Sequence, residues 1–240
     1  MIAAFGWGAL GGSALLLGAL IAYLLVPSRR VIAVVMALGT GVLIGSVSFE
    51  LVEDALETQT VGWVALLVLI GAAVFTIGDW LLERRGGSTR KDPAGAQSEG
   101  SPLAIVLGSI LDGIPESFVL GLTVLQGGVS LSLLAGVVLS NLPEGMSSSS
   151  GLKAAGWPRG RVVLLWSAVV AVSAVSAALG YLLLDPTTGR TGALVQAFAA
   201  GALLAMLADT LLPEAYRVEG ILTGSLVVTG FAGSLALSAV

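Results

Sequence analysis

GVLIGSVSFELVEDA (residues 41–55) is echoed far along the chain by GALLAMLADTLLPEA (201–215). Gly41 aligns with Gly201, Leu43 with Leu203, Leu51 with Leu211 and Ala55 with Ala215, while Asp54 meets Glu214. Both stretches lie in apolar runs long enough to cross a bilayer, which takes about 20 residues. Counted outward from them, the chain divides into eight such runs, roughly 3–26, 33–53, 60–82, 102–125, 129–149, 161–184, 191–212 and 220–240. These far exceed the ~10 residues of a barrel strand. The expected fold is an all-α membrane protein of eight transmembrane helices, forming one domain over residues 1–240. The split between the fourth and fifth runs rests on the turn Gln126-Gly127-Gly128.

Composition agrees with lipid as the main solvent. Of 240 residues, 56 % are apolar and 11 % charged, against about 25 % charged in an ordinary soluble domain. Mean hydropathy is +0.99. So few charges cannot cover the surface of a soluble chain of this size. A cytosolic enzyme, a nucleic-acid binder with a basic face and a disulfide scaffold are thereby excluded. There is no Cys and no His, which removes thiolate ligands and the commonest general base and transition-metal ligand. Polar chemistry in this chain has to use oxygen.

Eight spans place both termini on one side of the membrane. That side carries one basic residue, Arg190. The other carries ten: Arg29, Arg30, Arg84, Arg85, Arg90, Lys91, Lys153, Arg159, Arg161 and Arg217. The positive-inside rule then predicts a multi-pass protein of the cell membrane with both termini extracytoplasmic. The Gly/Ser/Pro-rich stretch 84–101 reads as a flexible cytoplasmic linker with no room for a second domain. The first run lacks a basic residue before its apolar stretch and is too long for a signal peptide, so it is expected to stay attached as a span.

Runs two and seven cross in opposite directions. A second echo pairs Ile114-Pro115-Glu116 of run four with Leu142-Pro143-Glu144 of run five. Chance similarity between two Gly-rich apolar segments could produce the first match. Both echoes fit one scheme, runs 1–3, then 4 and 5, then 6–8, related by an axis in the membrane plane. Inverted repeats with Pro-interrupted helices are a sequence mark of a transporter site.

Ionisable groups inside a bilayer are costly and usually functional. Asp112 and Glu116 lie four apart, on one helical face of run four. Glu144 shares a face of run five with Ser140 and Asn141. No Lys or Arg lies deep in any run, so these acids must be protonated or hold a cation. Pro115 and Pro143 have no N–H and release the helical carbonyls of Leu111 and Leu139, further oxygens for a cation. The plainer alternative is that Glu116 and Glu144 are protonated carboxyls bonding two helices together. Asp209 is a candidate for the cytoplasmic half of a pathway, or a polar contact between helices. Glu50 and Glu53, with Asp54 and Glu57, are candidates for its outer mouth, or a solvated helix end. The run Ser147–Ser150 suits a wetted path, or close helix packing.

At these residues the chain resembles the ZIP family of divalent metal transporters. The segments carrying the resemblance are Asp112-Gly113-Ile114-Pro115-Glu116-Ser117, Ser140-Asn141-Leu142-Pro143-Glu144-Gly145 and Asp209-Thr210-Leu211-Leu212-Pro213-Glu214. The resemblance implies eight spans in a 3+2+3 inverted arrangement, external termini, import of metal toward the cytoplasm, and a homodimer. It puts Glu116 and Glu144 at metal-ligand positions, Asp112 where the family has a histidine, Ser140 at the first ligand position of span five, and Asn141 at a second-metal position. Gly113 stands where the family has an Asn ligand and span six has no acid, so a single metal is the expectation. Carboxylate and amide oxygens favour a hard ion such as Mn²⁺, while Zn²⁺ also accepts carboxylates.

The expected function is transport of Zn²⁺, Mn²⁺ or Fe²⁺ by alternating access around Asp112, Glu116, Ser140, Asn141 and Glu144. The partners expected are the ion and the lipid bilayer, with no nucleic acid and no permanently bound cofactor. Two alternatives stand on the same residues: a proton-coupled transporter of a small solute, and a non-transporting membrane scaffold. An enzyme is not expected, because Ser140 and the Ser147–Ser150 run have no His or Lys partner within the bilayer.

Overall fold

The computed structural model describes residues 1–84, 102–125, 128–182 and 189–238, the first five residues of the second segment as backbone only. The linker beyond Arg84 and the turn residues Gln126 and Gly127 lie outside the described residues. Among the described residues, 92 % are helical and none is in a strand. In order come α1 (Ile2–Leu24), α2 (Arg29–Ser46), a π-helical segment (Val47–Val52), α3 (Glu53–Thr58), α4 (Val61–Leu82), α5 (Pro102–Leu125) and α6 (Leu131–Ala154). Then follow α7 (Arg159–Leu182), α8 (Gly189–Met206), a second π-helical segment (Leu207–Leu211), α9 (Leu212–Glu219) and α10 (Leu222–Ser238).

Six of the described helical stretches are long and apolar enough to cross a membrane, α2–α3 and α8–α9 each counting as one continuous stretch of 30 residues. The chain is built as a multi-pass membrane protein. Two of the eight apolar runs fall outside this set for different reasons. α10 is apolar but spans 17 residues. α6 has 24 residues, but Ser140, Asn141, Glu144 and Ser147–Ser150 make its second half polar. Every one of those residues except half-buried Ser150 is buried. α4 shows the reverse character. Leu66, Leu69, Ile70, Val74 and Ile77 are exposed along it, a patch suited to lipid. Exposed Trp63 and Trp80 stand near its two ends, roughly 25 Å apart at helical rise. That separation matches the two interfacial aromatic belts of a bilayer.

Local sequence explains where the helices start and break. Ser28 and Ser130 cap α2 and α6, accepting from the N–H of Val31 (3.3 Å) and Leu133 (2.9 Å). Gly220, at φ 61°, ends α9 in a conformation a residue with a Cβ rarely adopts. The two π segments begin at Val47 and Leu207, and the helices before them at Arg29 and Gly189. Both pairs keep the displacement that separates Gly41 from Gly201. Just after the second π segment, Pro213 in the first turn of α9 has no N–H to give the carbonyl four residues back, and the widened turn before it accommodates the loss. The first has no proline. There the Ser46 and Ser48 hydroxyls donate back to the carbonyls of Val42 (3.0 Å) and Ile44 (2.7 Å), a contact that bends helices.

Packing follows the same correspondence. α2 lies on α10, and α8 on α4, in two tight seams. A Cβ added at Gly41 or Gly230 would fall 1.9 or 2.1 Å from the carbonyl oxygen of Val227 or Leu38. At Gly201 and Gly71 it would fall 1.9 Å from the carbonyls of Val68 and Phe198. α1 packs along α6 and α7, and α5 along α7. Two pairings break the correspondence: α6 packs broadly on α2, whereas α5 meets α8 only sparingly, and α1 packs on α5 while α7 barely meets α6. These seams predict a position-specific cost. Gly201→Ala should destabilise the protein in detergent by about 1–3 kcal/mol, read as a lowered thermal midpoint. Gly62→Ala, whose Cβ would meet nothing within 4 Å, should not. Equal midpoints would refute the close approach.

Candidate functional site

α5 and α6 each carry a proline inside the helix, Pro115 and Pro143, immediately before a buried glutamate. Asp112, Glu116, Ser140, Asn141 and Glu144 are all at most 3 % exposed. The two glutamates are held in reciprocal fashion across the helix pair. Ser140 Oγ of α6 lies 3.2 Å from Glu116 Oε1 of α5. Ser109 Oγ of α5 donates to Glu144 Oε1 of α6 at 2.7 Å.

Ser140 has a second acceptor, the carbonyl of Val137 at 3.0 Å. A hydroxyl has one proton and two lone pairs, so the contact with Glu116 can run either way. Toward an ionised carboxylate Ser140 is the donor. Toward a protonated carboxyl it accepts, and its own proton turns to Val137. The Ser140–Glu116 contact thus survives in both charge states of Glu116, and the Val137 bond is made only when Glu116 is the donor.

The remaining expected residues are placed differently. Asp112 is buried on the same face of α5 as Glu116. Asn141 donates its Nδ2 to the carbonyl of Gly11 on α1 at 3.2 Å, so its amide nitrogen serves the α1–α6 seam. Among the described residues, no three Asp, Glu, His or Cys side chains come together closely enough to hold a metal ion. A cation at this site would therefore depend on hydroxyl, amide or carbonyl oxygens beside the carboxylates. The carbonyl released by Pro143, that of Leu139, faces Gly39 of α2, where an added Cβ would come within 2.6 Å.

Asp209 is exposed at the edge of the bundle and accepts from Thr76 of α4 at 3.2 Å. Glu53 is exposed, while Asp54 accepts from Gln196 of α8 at 3.4 Å. Glu50 is half buried and accepts from Ser130 and, at 3.2 Å, from Ser238. Glu50 and Asp54 border a cavity of about 280 Å³ together with Thr123, Gly128, Val129 and Ser130. The serine run is packed rather than wetted: Ser147, Ser148 and Ser149 are fully buried, and Ser149 accepts from the indole of Trp166 at 2.8 Å. Lys153, the one basic residue of α6, points its ammonium at the last carbonyls of α1, Ala22 and Tyr23, far along the helix from Glu144.

Ser109 is the site residue that the sequence reading missed. Its signal was present, since positions 109, 112 and 116 share one helical face at i, i+3 and i+7. Comparison of the chain with models of known protein families finds no match, and comparison with curated proteins finds no significant match.

The Ser109–Glu144 bond is testable by a double-mutant cycle. Ser109→Ala and Glu144→Ala should couple by about 1 kcal/mol or more in stability, the scale of one buried hydrogen bond. Ser109→Ala combined with Glu116→Gln should be close to additive. Additivity in both cycles would remove Ser109 from the site.

Proposed function

We propose that this chain is a divalent metal cation transporter resembling the ZIP family, with eight spans in a 3+2+3 inverted arrangement and both termini extracytoplasmic. It would carry Zn²⁺, Mn²⁺ or Fe²⁺ toward the cytoplasm. The observation that carries this reading is the reciprocal Ser–Glu pairing of α5 and α6 at repeated Pro-Glu motifs in the buried interior. Support for the inverted arrangement comes from the common displacement that relates α2 to α8, the two π segments, and Gly41 to Gly201. Support for alternating access comes from the broad contact of α6 on α2 beside the sparse contact of α5 on α8. Two halves of one design in different states of closure are what a moving helix pair would leave.

In this reading Glu116 and Glu144 are the principal ligands, with Ser140 and Ser109 as the hydroxyls they exchange for the ion. Asp112 approaches to complete the shell, and Asn141 supplies its amide oxygen. An oxygen-only set of this kind favours Mn²⁺ over Zn²⁺. Because the ion must displace protons from carboxyl groups, uptake should slow as the pH falls.

A second reading has its own support. No three acids converge among the described residues, and Ser140 accommodates both protonation states of Glu116. Both features suit a proton-coupled transporter of a small solute. Uptake of Mn²⁺, Zn²⁺, Fe²⁺ and Cd²⁺ into proteoliposomes separates the two. The metal reading expects selective uptake that falls to background in the Glu116→Gln/Glu144→Gln variant. Folded protein that moves no metal, yet dissipates a proton gradient when a solute is supplied, would establish the second reading instead.

A further inference from the structure

Glu50 sits in the first π segment and reaches two other elements with its two oxygens. Oε2 accepts from the hydroxyl of Ser130, and Oε1 from that of Ser238 at the end of α10, at 3.2 Å. Ser130 is also the residue that caps α6, accepting from the Leu133 N–H at 2.9 Å. Its single proton goes to Glu50 while a lone pair serves the cap, so both bonds hold at once. Glu50 thereby fastens the start of α6 to the span that contains α2.

The seam continues inward from this point. The hydroxyls of Ser46 and Ser132 lie 2.5 Å apart and are buried. Gly136 packs against Leu43, and Gly39 against the backbone at Leu139 and Ser140. The closure therefore runs from Glu50 to the residue that contacts Glu116. In the alignment that sets Gly41 over Gly201, the counterpart of Glu50 in the other half is Thr210. Its hydroxyl turns back to the Met206 carbonyl of its own stretch at 2.6 Å. On that side, a cavity of about 170 Å³ separates α4 from α5, lined by Gly78, Leu81, Leu82, Leu107 and Leu111. A second cavity of about 280 Å³ lies beside Glu50 itself, giving its side chain space to swing into.

We propose that Glu50 is a latch, whose bond to Ser130 holds α6 shut against α2 at this end of the bundle and whose release opens that seam. Its use in a transport cycle rests on the proposed function. Its test does not, because seam opening is read without any cargo.

The chain has no cysteine, so a single S132C reports on the seam through its rate of maleimide labelling in the full-length protein. S132C is expected to label slowly. Adding E50A should speed it about tenfold or more, the loss expected for a charge-assisted hydrogen bond. S130D keeps an acceptor for the α6 cap but has no proton to give Glu50, and should label as fast. E50Q still accepts from Ser130 and should label at nearly the parent rate, as should T210A. E50A should leave S173C, buried in the α1–α7 seam, slow. Parent rates for both E50A and S130D would overturn the latch. So would T210A matching E50A, or E50A accelerating S173C as much as S132C.

Discussion

A carboxylate taken out of water needs donors or a cation, and this chain places no Lys or Arg in the middle of any of its helices. That requirement organises the centre of the molecule. Glu116 and Glu144 are on different helices, and each reaches a serine hydroxyl of the other helix. The pairing ties α5 to α6 through polar atoms, since the two helices share little other contact. Their apolar surfaces are spent elsewhere, α6 on α1 and α2, and α5 on α7. The polar pairs can therefore rearrange without unpacking a hydrophobic interface between the two helices.

A second constraint acts on the backbone. In lipid every N–H and C=O has to be satisfied within the protein, so a helix can break only where something replaces the lost bond. Both π segments carry hydroxyls returned to carbonyls four residues back, from Ser46 and Ser48 in one and Thr210 in the other, and only the second is followed by a proline. The break in the first therefore does not depend on a proline. A π turn shifts the face that a helix presents beyond it. In the first half this carries Glu50 toward Ser130 and Asp54 toward Gln196. In the second it leaves Asp209 exposed against Thr76.

The helical runs were legible because length, hydropathy and proline act locally. The buried acids were legible because charge inside an apolar run is rare. What sequence left open was partner choice. Asn141 shares a helix with Glu144 but donates to α1, a contact made by the close packing of Gly11 near Val137. Ser109 has no unusual neighbour in the chain, and becomes a site residue only when α6 sets Glu144 beside it. The serine run reads equally as a wetted path or a packing surface until Trp166 is seen to fill it. Nor does sequence tell that no three acids cluster among the described residues.

This last arrangement bears on how ion and proton would compete. Each glutamate already has one oxygen engaged by a hydroxyl. A divalent ion drawn between them would have to offset those two bonds as well as any protons the carboxyls hold. Ser140 lowers that barrier on one side, because its proton can return to Val137 when Glu116 turns away. Ser109 is tied by its shorter bond to Glu144. The two hydroxyls are thus unequal: Ser140 has a second acceptor for its proton, and Ser109 makes the shorter bond to its glutamate. If the proposed transport is correct, exchange would be easiest at the Ser140–Glu116 contact, where the hydroxyl has another acceptor.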